Sequence, residues 1–554
     1  MKKSNRREFL NFISRHSAGL ALTSVVAPSI LAQMGCSQKS IKENSPFQIP
    51  KTPVVKTNSV FFPHLGVTKK NDLILVPGLN YHILASDGDQ INSKGEKFGS
   101  HNDFLGFIPF DKKNPDEGYL WVNHEYFDPA VASGYDGKSA KTLQQIESEQ
   151  QMVGGSLLHI KKNPSTKKWQ VENDSSINRR WTGQTPIEFS AKQKILNQNY
   201  GYGTLGNCCG GVTPWDTFLT CEENYHHFYG EVSFGLNDER QVVVAKNKMA
   251  WDSLKPQPPE HYGWVVEIDP RTQKSQKHLS LGRFAHEGAT VVQAKNGCSV
   301  VYMGDDASDQ YFYKFVASKP NQLSEGTLYV AQFTPGSEIA EGRWIPLDVK
   351  NNKDLKKKFK NQLSLLIRTR EAAKLVGATP LDRPEDCEVD PMTGSIYLNC
   401  TNNIAKDRPH GLILKFSEKN NNFLATEFTV RTFLKGGDET GFSCPDNLTF
   451  DHKGNLWLVS DMPVDDDASG LYKDFGNNSL FYIPMSGDAY GQVFRFASAP
   501  AGAELTGIVF APDKQTLFCS IQHPTKEWPH GPGGQARSSV VAIQGSLIDK
   551  LLSF

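Results

Sequence analysis

The chemistry in this sequence is concentrated in carboxylates. Asn123-His124-Glu125, Thr220-Cys221-Glu222-Glu223-Asn224, His286-Glu287-Gly288 and Gly304-Asp305-Asp306 each set acids inside otherwise apolar, strand-like sequence. Buried carboxylates are costly unless paired or metal-bound. So many favour a hard-cation site, since calcium takes about six to eight oxygen ligands. Cys221 adds a different donor, because a thiolate is wrong for calcium and suits iron, zinc or another transition metal. Acidic neighbours raise a thiol pKa, so a thiolate there needs a cation beside it. The rival reading is a nucleophilic cysteine. Phosphatases of that type hold the cysteine in a basic, phosphate-cradling loop, whereas Glu222 and Glu223 make this one acidic. Metal ligation is therefore favoured at Cys221, and a buried structural cysteine stands behind both.

Groups so far apart in the chain need a scaffold that converges. Strand-like runs recur between turns, as in Gly263 to Pro270, Ala289 to Val292 and Ser299 to Met303. Three segments repeat one unit of strand, tight turn and strand. The first runs from Pro384-Glu385-Asp386 through Thr393-Gly394 to Ile396-Tyr397-Leu398. The second runs from Pro445-Asp446-Asn447 through Lys453-Gly454 to Leu456-Trp457-Leu458. The third runs from Leu505-Thr506-Gly507 through Asp513-Lys514 to Thr516-Leu517-Phe518. A spacing of roughly sixty residues predicts an all-β fold, a β-propeller with inserted loops and a few short helices. A β-sandwich is the alternative, and no βαβ alternation supports an α/β fold. The clearest helical stretch is Leu355 to Val376. In a propeller the innermost strands meet at a central channel, which would gather Glu385, Asp386, Asp446, Asn447 and Glu504.

Composition limits the alternatives. The 554 residues are 38% hydrophobic, with 46 Gly, 31 Pro and 32 Phe, as in a turn-rich globular protein with a large core. Lysine plus arginine equals aspartate plus glutamate at 60 each, so no global field draws the chain to nucleic acid or anionic lipid. The N-terminus has a signal-peptide layout, and Arg6-Arg7-Glu8-Phe9-Leu10 resembles a twin-arginine signal, which implies export of the folded protein by the twin-arginine translocase. Gly35-Cys36 has the form of a lipoprotein site, although Gln33 stands where leucine is usual. Lipid anchoring through Cys36 and release into the periplasm or medium are both left open. Residues 1–45 are assigned to leader and linker, and 46–554 to the working domain.

The run from Asn207-Cys208-Cys209-Gly210-Gly211 to Thr220-Cys221-Glu222-Glu223-Asn224 resembles the PhoX family of alkaline phosphatases. So do Asn102-Asp103-Phe104, Asn123-His124-Glu125, Arg283 to Gly288, Gly304-Asp305-Asp306, Arg383-Pro384-Glu385-Asp386 and Gln522-His523-Pro524, in the family's order. The resemblance implies a propeller holding a pair of ferric ions (Fe3+), bridged by a cysteine, beside several calcium ions (Ca2+). It makes Cys221 the iron bridge and Glu223 and Glu287 iron ligands. It makes Glu125, Glu222, Asp305, Asp306, Glu385, Asp386 and Glu504 calcium or shared ligands, and it puts Arg383 on the substrate phosphate. A guanidinium suits that role as a planar fork for phosphate oxygens. The reaction expected is hydrolysis of phosphate monoesters by a metal-held oxygen, in a protein acting as a monomer. Cys387, where an aliphatic residue is expected, and the paired Cys208-Cys209 depart from the pattern. The competing readings are a calcium-dependent propeller lactonase or phosphotriesterase, which would have no use for Cys221, and a non-catalytic binding propeller stabilised by calcium, which would not need Arg383.

Overall fold

The structure is a computed structural model and describes residues 62, 64–235, 238–243, 249–335, 338–463, 470–525 and 527–552. The leader, Cys36 and the start of the assigned domain lie outside the described residues. Among the described residues no helix is long and apolar enough to cross a membrane.

Among the described residues the strands form a ring of six blades, antiparallel except where Lys274–His278 pairs parallel with Pro186–Phe189. The first runs outward from Asn102–Asp111 through Asn114–His124 and Gly154–Lys162, and the second from Asn207–Val212 through Phe218–Glu222 and Val265–Asp269. The third and fourth blades share a nine-stranded sheet, with inner strands Thr290–Gln293 and Pro384–Val389 at its two ends and outer strands Ala340–Pro346 and Glu427–Lys435 paired in the middle. The fifth starts at Pro445–Phe450 and gains Ile74–Leu75 at its outer edge. The sixth starts at Glu504–Phe510 and ends on Ser539–Gln544, which pairs with Asn80–Ser86 from the other end of the chain. Successive inner strands touch, and Glu504–Phe510 meets Asn102–Asp111 to close the ring. The three repeated sequence units are the inner hairpins of the last three blades.

The hairpins form for local reasons. Strands such as Leu456–Ser460 and Thr516–Gln522 are buried along their whole length and mostly apolar because both faces are covered by neighbouring blades. At the turns an aspartate accepts from the backbone two or more residues on. Asp390 does so from Met392, Asp451 from Lys453 and Asn455, and Asp513 from Gln515 and Thr516. The single helix expected over Leu355 to Val376 is instead three: Lys353–Lys358, Gln362–Ile367 and Thr369–Leu375. Asn361 and Ser364 form a capping box that starts the second, and Arg368 at φ −115°, ψ 41° separates it from the third.

One irregularity recurs around the ring. At the same end of five inner strands the register slips so that two residues oppose one on the partner strand. The slips lie between Asn102 and Leu105, Asn207 and Gly210, Pro384 and Cys387, Pro445 and Leu448, and Thr506 and Val509. In the third blade the inner side is also one residue longer between the His286–Asp305 bridge and the Thr290–Tyr302 pair. Such bulges bend the strand and re-aim a side chain.

Candidate metal centre

The residue just inside the bulge is Asp103 in the first blade, Cys208 in the second, Glu287 in the third, Glu385 in the fourth and Asp446 in the fifth. All five converge. The Cys208 thiol donates to Glu287 Oε1 at 2.9 Å and lies 3.3 Å from Asp103 Oδ2. Three groups bring their ligand atoms within 4.8 Å of one another: Asp103, Glu125 and Cys208; Cys208, Glu223 and Glu287; and Glu287, Glu385 and Asp446. Cys208 and Glu287 each belong to two groups, so the three form a connected chain. Glu504 faces the same centre from the sixth blade, its Oε2 3.1 Å from His523 Nε2.

These acids sit in an unfavourable electrostatic position. Burial pushes Glu125, Glu223, Glu287, Glu385, Asp446 and Glu504 well above the usual carboxylate range, and the charges of their neighbours push further. Asp103 is pushed up to about 6 by burial. Glu223 Oε2 and Asp446 Oδ2 are buried with no hydrogen-bond partner. Acceptors that point at one another without donors are what a cation site requires, so these residues fit metal ions. The two groups containing Cys208 combine sulfur with carboxylate, a donor set for a transition metal. The group of Glu287, Glu385 and Asp446 is all oxygen, as a hard cation prefers.

Several expected ligands stand elsewhere, and strand geometry explains them. Along Phe218–Glu222 side chains alternate, so Cys221 shares a face with Leu219 and is fully buried in an apolar cluster with Val265, Leu281 and Phe284. Cys221 therefore does not join the acids, and the thiol among them is Cys208. Adjacent acids are separated in the same way. Glu223 faces the centre, whereas Glu222 is taken by Lys277 Nζ at 2.8 Å and by the amides of Leu205 and Trp264. Asp306 faces Arg383, whereas Asp305 is clamped by Arg370 and receives the Ala285 amide. Glu385 faces the centre, whereas Asp386 accepts from the amides of Cys387 and Leu448. Asp386 lies deeper, where it and Glu388 line a channel of about 180 Å³ between the inner strands.

Arg383 is the cation of the site. Its Nε and Nη2 donate to the two oxygens of Asp306 at 2.8 and 2.7 Å, and Nη2 lies 3.1 Å from Glu385 Oε1. Its backbone has φ 53°, a left-handed conformation that a non-glycine residue adopts only when its surroundings impose it. Supporting contacts come from every side. Gln522 Nε2 donates to Asp103 at 2.7 Å and Glu125 at 3.3 Å, Asn224 donates to Glu125 at 3.0 Å, and Thr506 donates to Asp103. Asp461, just beyond Leu456–Ser460, is a further acid beside Arg383, His523 and Asp306.

The sequence marks the position of Asp446 without assigning it a metal and gives Asp103, Cys208 and Asp461 no ligand role. The signal that could have found Asp103 and Cys208 is their shared place as the second residue of an inner strand, after Asn102 and Asn207.

Residues 60–525 match the family described as alkaline phosphatase PhoX. The structure is similar to Pseudomonas fluorescens PhoX in complex with vanadate, a transition state analogue, with a TM-score of 0.79 and 28% identity over 88% of this chain and 98% of that one. A protein of unknown function from Dyadobacter fermentans is similar at a TM-score of 0.38 and 9% identity, over 85% of this chain and all of that one. No curated protein matches the chain. With the family match spanning most of the ring and both Arg383 and the acidic centre inside it, this chain belongs to the PhoX family of alkaline phosphatases.

Proposed function

We propose that the centre formed by the six inner strands is where this phosphatase hydrolyses phosphate monoesters. In this reading Cys208, Asp103, Glu125, Glu223 and Glu287 would hold a ferric pair. Glu287, Glu385, Asp446 and the neighbouring acids, Glu504 among them, would hold calcium. The observation that carries the reading is that Cys208 belongs to two ligand groups at once, as a bridging thiolate must. When bound, the metals would supply the positive charge and the activated water that phosphoryl transfer requires.

The protein's own residues prepare the rest. Asp306 occupies Nε and Nη2 of Arg383 and so fixes the plane of the guanidinium. Nη1 is left to donate to a phosphoryl oxygen. Such a donor, already oriented before substrate arrives, costs no reorganisation during the reaction. Thr401 donates to Glu385, which orients that carboxylate relative to both Arg383 and the all-oxygen group. The Pseudomonas fluorescens protein holds vanadate, a transition state analogue, and the same class of transition state is proposed for this chain.

Export belongs to the proposal. Arg6-Arg7-Glu8-Phe9-Leu10 supports passage through the twin-arginine translocase, with the mature protein working as a monomer in the periplasm, outside the cell or tethered through Cys36. The test is turnover of a chromogenic phosphate monoester by purified protein, before calcium chelation, after it, and with calcium restored, alongside iron analysis. Turnover lost and regained, with iron present, is expected. Folded protein with no turnover under any metal condition would overturn the reading.

A further inference from the structure

Aspartates of the short ribbon beside Arg383 hold cations from elsewhere in the chain. Leu381–Asp382 pairs antiparallel with Ser308–Gln310, Ser308 opposite Asp382. The ribbon thus adjoins Arg383 on one strand and follows Asp306 on the other. Arg408 Nη2 is held by Asp382 Oδ1 at 2.7 Å, and Lys406 Nζ by Asp309 Oδ1. Asn403 ties the two aspartates together, donating to Asp382 at 2.9 Å. Arg370 is clamped by Asp305, the sequence neighbour of Asp306, with Nε to Oδ2 at 2.9 Å.

These cations are anchored, reachable and only partly satisfied. The side chains of Lys406, Arg408 and Arg370 are 41%, 37% and 36% exposed. Asp305 and Asp382, which hold the arginines, are buried, so the guanidinium planes are fixed in advance. Arg408 Nε is buried with no hydrogen-bond partner. The Nη1 groups of Arg370 and Arg408 make no hydrogen bond among the described residues.

We infer that Lys406, Arg408 and Arg370 form an anion subsite for the leaving group, one that favours phosphate monoesters carrying a second phosphate. The inference rests on Arg383 receiving the scissile phosphate, as proposed above. The guanidinium donors of Arg370 and Arg408 and the ammonium of Lys406 suit the oxygens of a second phosphate. A neutral leaving group gains nothing from them.

Fructose 6-phosphate and fructose 1,6-bisphosphate share a sugar and differ in the second phosphate, so phosphate release from each by the metal-loaded full chain isolates the effect. In the double variant Lys406→Ala with Arg408→Ala, kcat/KM for the bisphosphate is expected to fall about tenfold while the monophosphate stays within about twofold. The single change Lys406→Gln leaves the Arg408–Asp382 pair intact and should give a smaller loss in the same direction. Equal losses on the two substrates, or none on either, would overturn the subsite and leave the phosphatase reading standing. A wild-type protein that hydrolyses neither sugar phosphate would remove that reading and the subsite with it.

Discussion

Cys208 Sγ and Glu287 Oε1 lie 2.9 Å apart across the boundary between the second and third blades, joining positions 79 residues apart in the chain. The contact depends on one bulge in each blade, and it separates the roles of two nearby cysteines. Cys208→Ala is expected to lose bound iron and activity together. Cys221→Ala should keep both and lose only about 1–2 kcal/mol of stability through a small core cavity. Metal analysis by mass spectrometry with a thermal melt on each variant checks this; iron lost from the Cys221 variant alone would restore Cys221 as the ligand.

Arg383 acts through the shape of its fork as well as its charge. Arg383→Lys keeps the charge but loses the planar fork that grips both oxygens of Asp306 and leaves Nη1 for phosphate. We expect kcat/KM to fall about a hundredfold, read by steady-state kinetics with a monoester.

Glu222 and Lys277 form a pair with both side chains fully buried. Lys277→Met leaves the Glu222 charge without its partner and should cost about 3–5 kcal/mol in urea unfolding. Glu222→Gln should retain the full metal content. Metal lost from that variant would return Glu222 to the ligand set.

Calcium should stabilise the fold as well as support turnover. Cations that bind only the folded ring raise its stability by about 2.7 kcal/mol per site at a hundredfold excess over Kd. The melting temperature is expected to climb with added calcium and to fall after chelation. A melt indifferent to both would argue against calcium in the centre.

Acid should weaken the second blade through Glu267. Burial acts to raise this carboxyl, but bonds from His278, Thr217 and Trp215 outweigh it and hold it at about 2, against an ordinary value of 4.5. Because the folded-state value is the lower one, the stabilisation is fully present above about pH 4.5 and fades as the pH falls toward 2. Glu267→Gln should remove roughly 2 kcal/mol at pH 7 and flatten the acid limb of a stability curve measured by denaturant unfolding.

The propeller was legible because its last three blades each announce a hairpin within about fifteen residues, with largely apolar strands around an aspartate-led turn. The ring closure was not, since Asn80–Ser86 finds Ser539–Gln544 across most of the chain and neither segment names its partner. The acidic centre was legible as a concentration of Glu and Asp. Which member of Glu222-Glu223, Asp305-Asp306 and Glu385-Asp386 faces inward was not, because strand alternation decides it and a bulge shifts that alternation by one. The same shift hid Cys208 behind Cys221.

The closure of the sixth blade sets an order of events during synthesis. Asp103 emerges early from the ribosome, but the sheet beside it lacks its final strand until Ser539–Gln544 has been made and has captured Asn80–Ser86. Ligands drawn from the first blade to the sixth therefore have no common centre while translation is under way. Loading of the whole centre therefore follows closure of the ring, although the two groups that share Cys208 come from the first three blades alone.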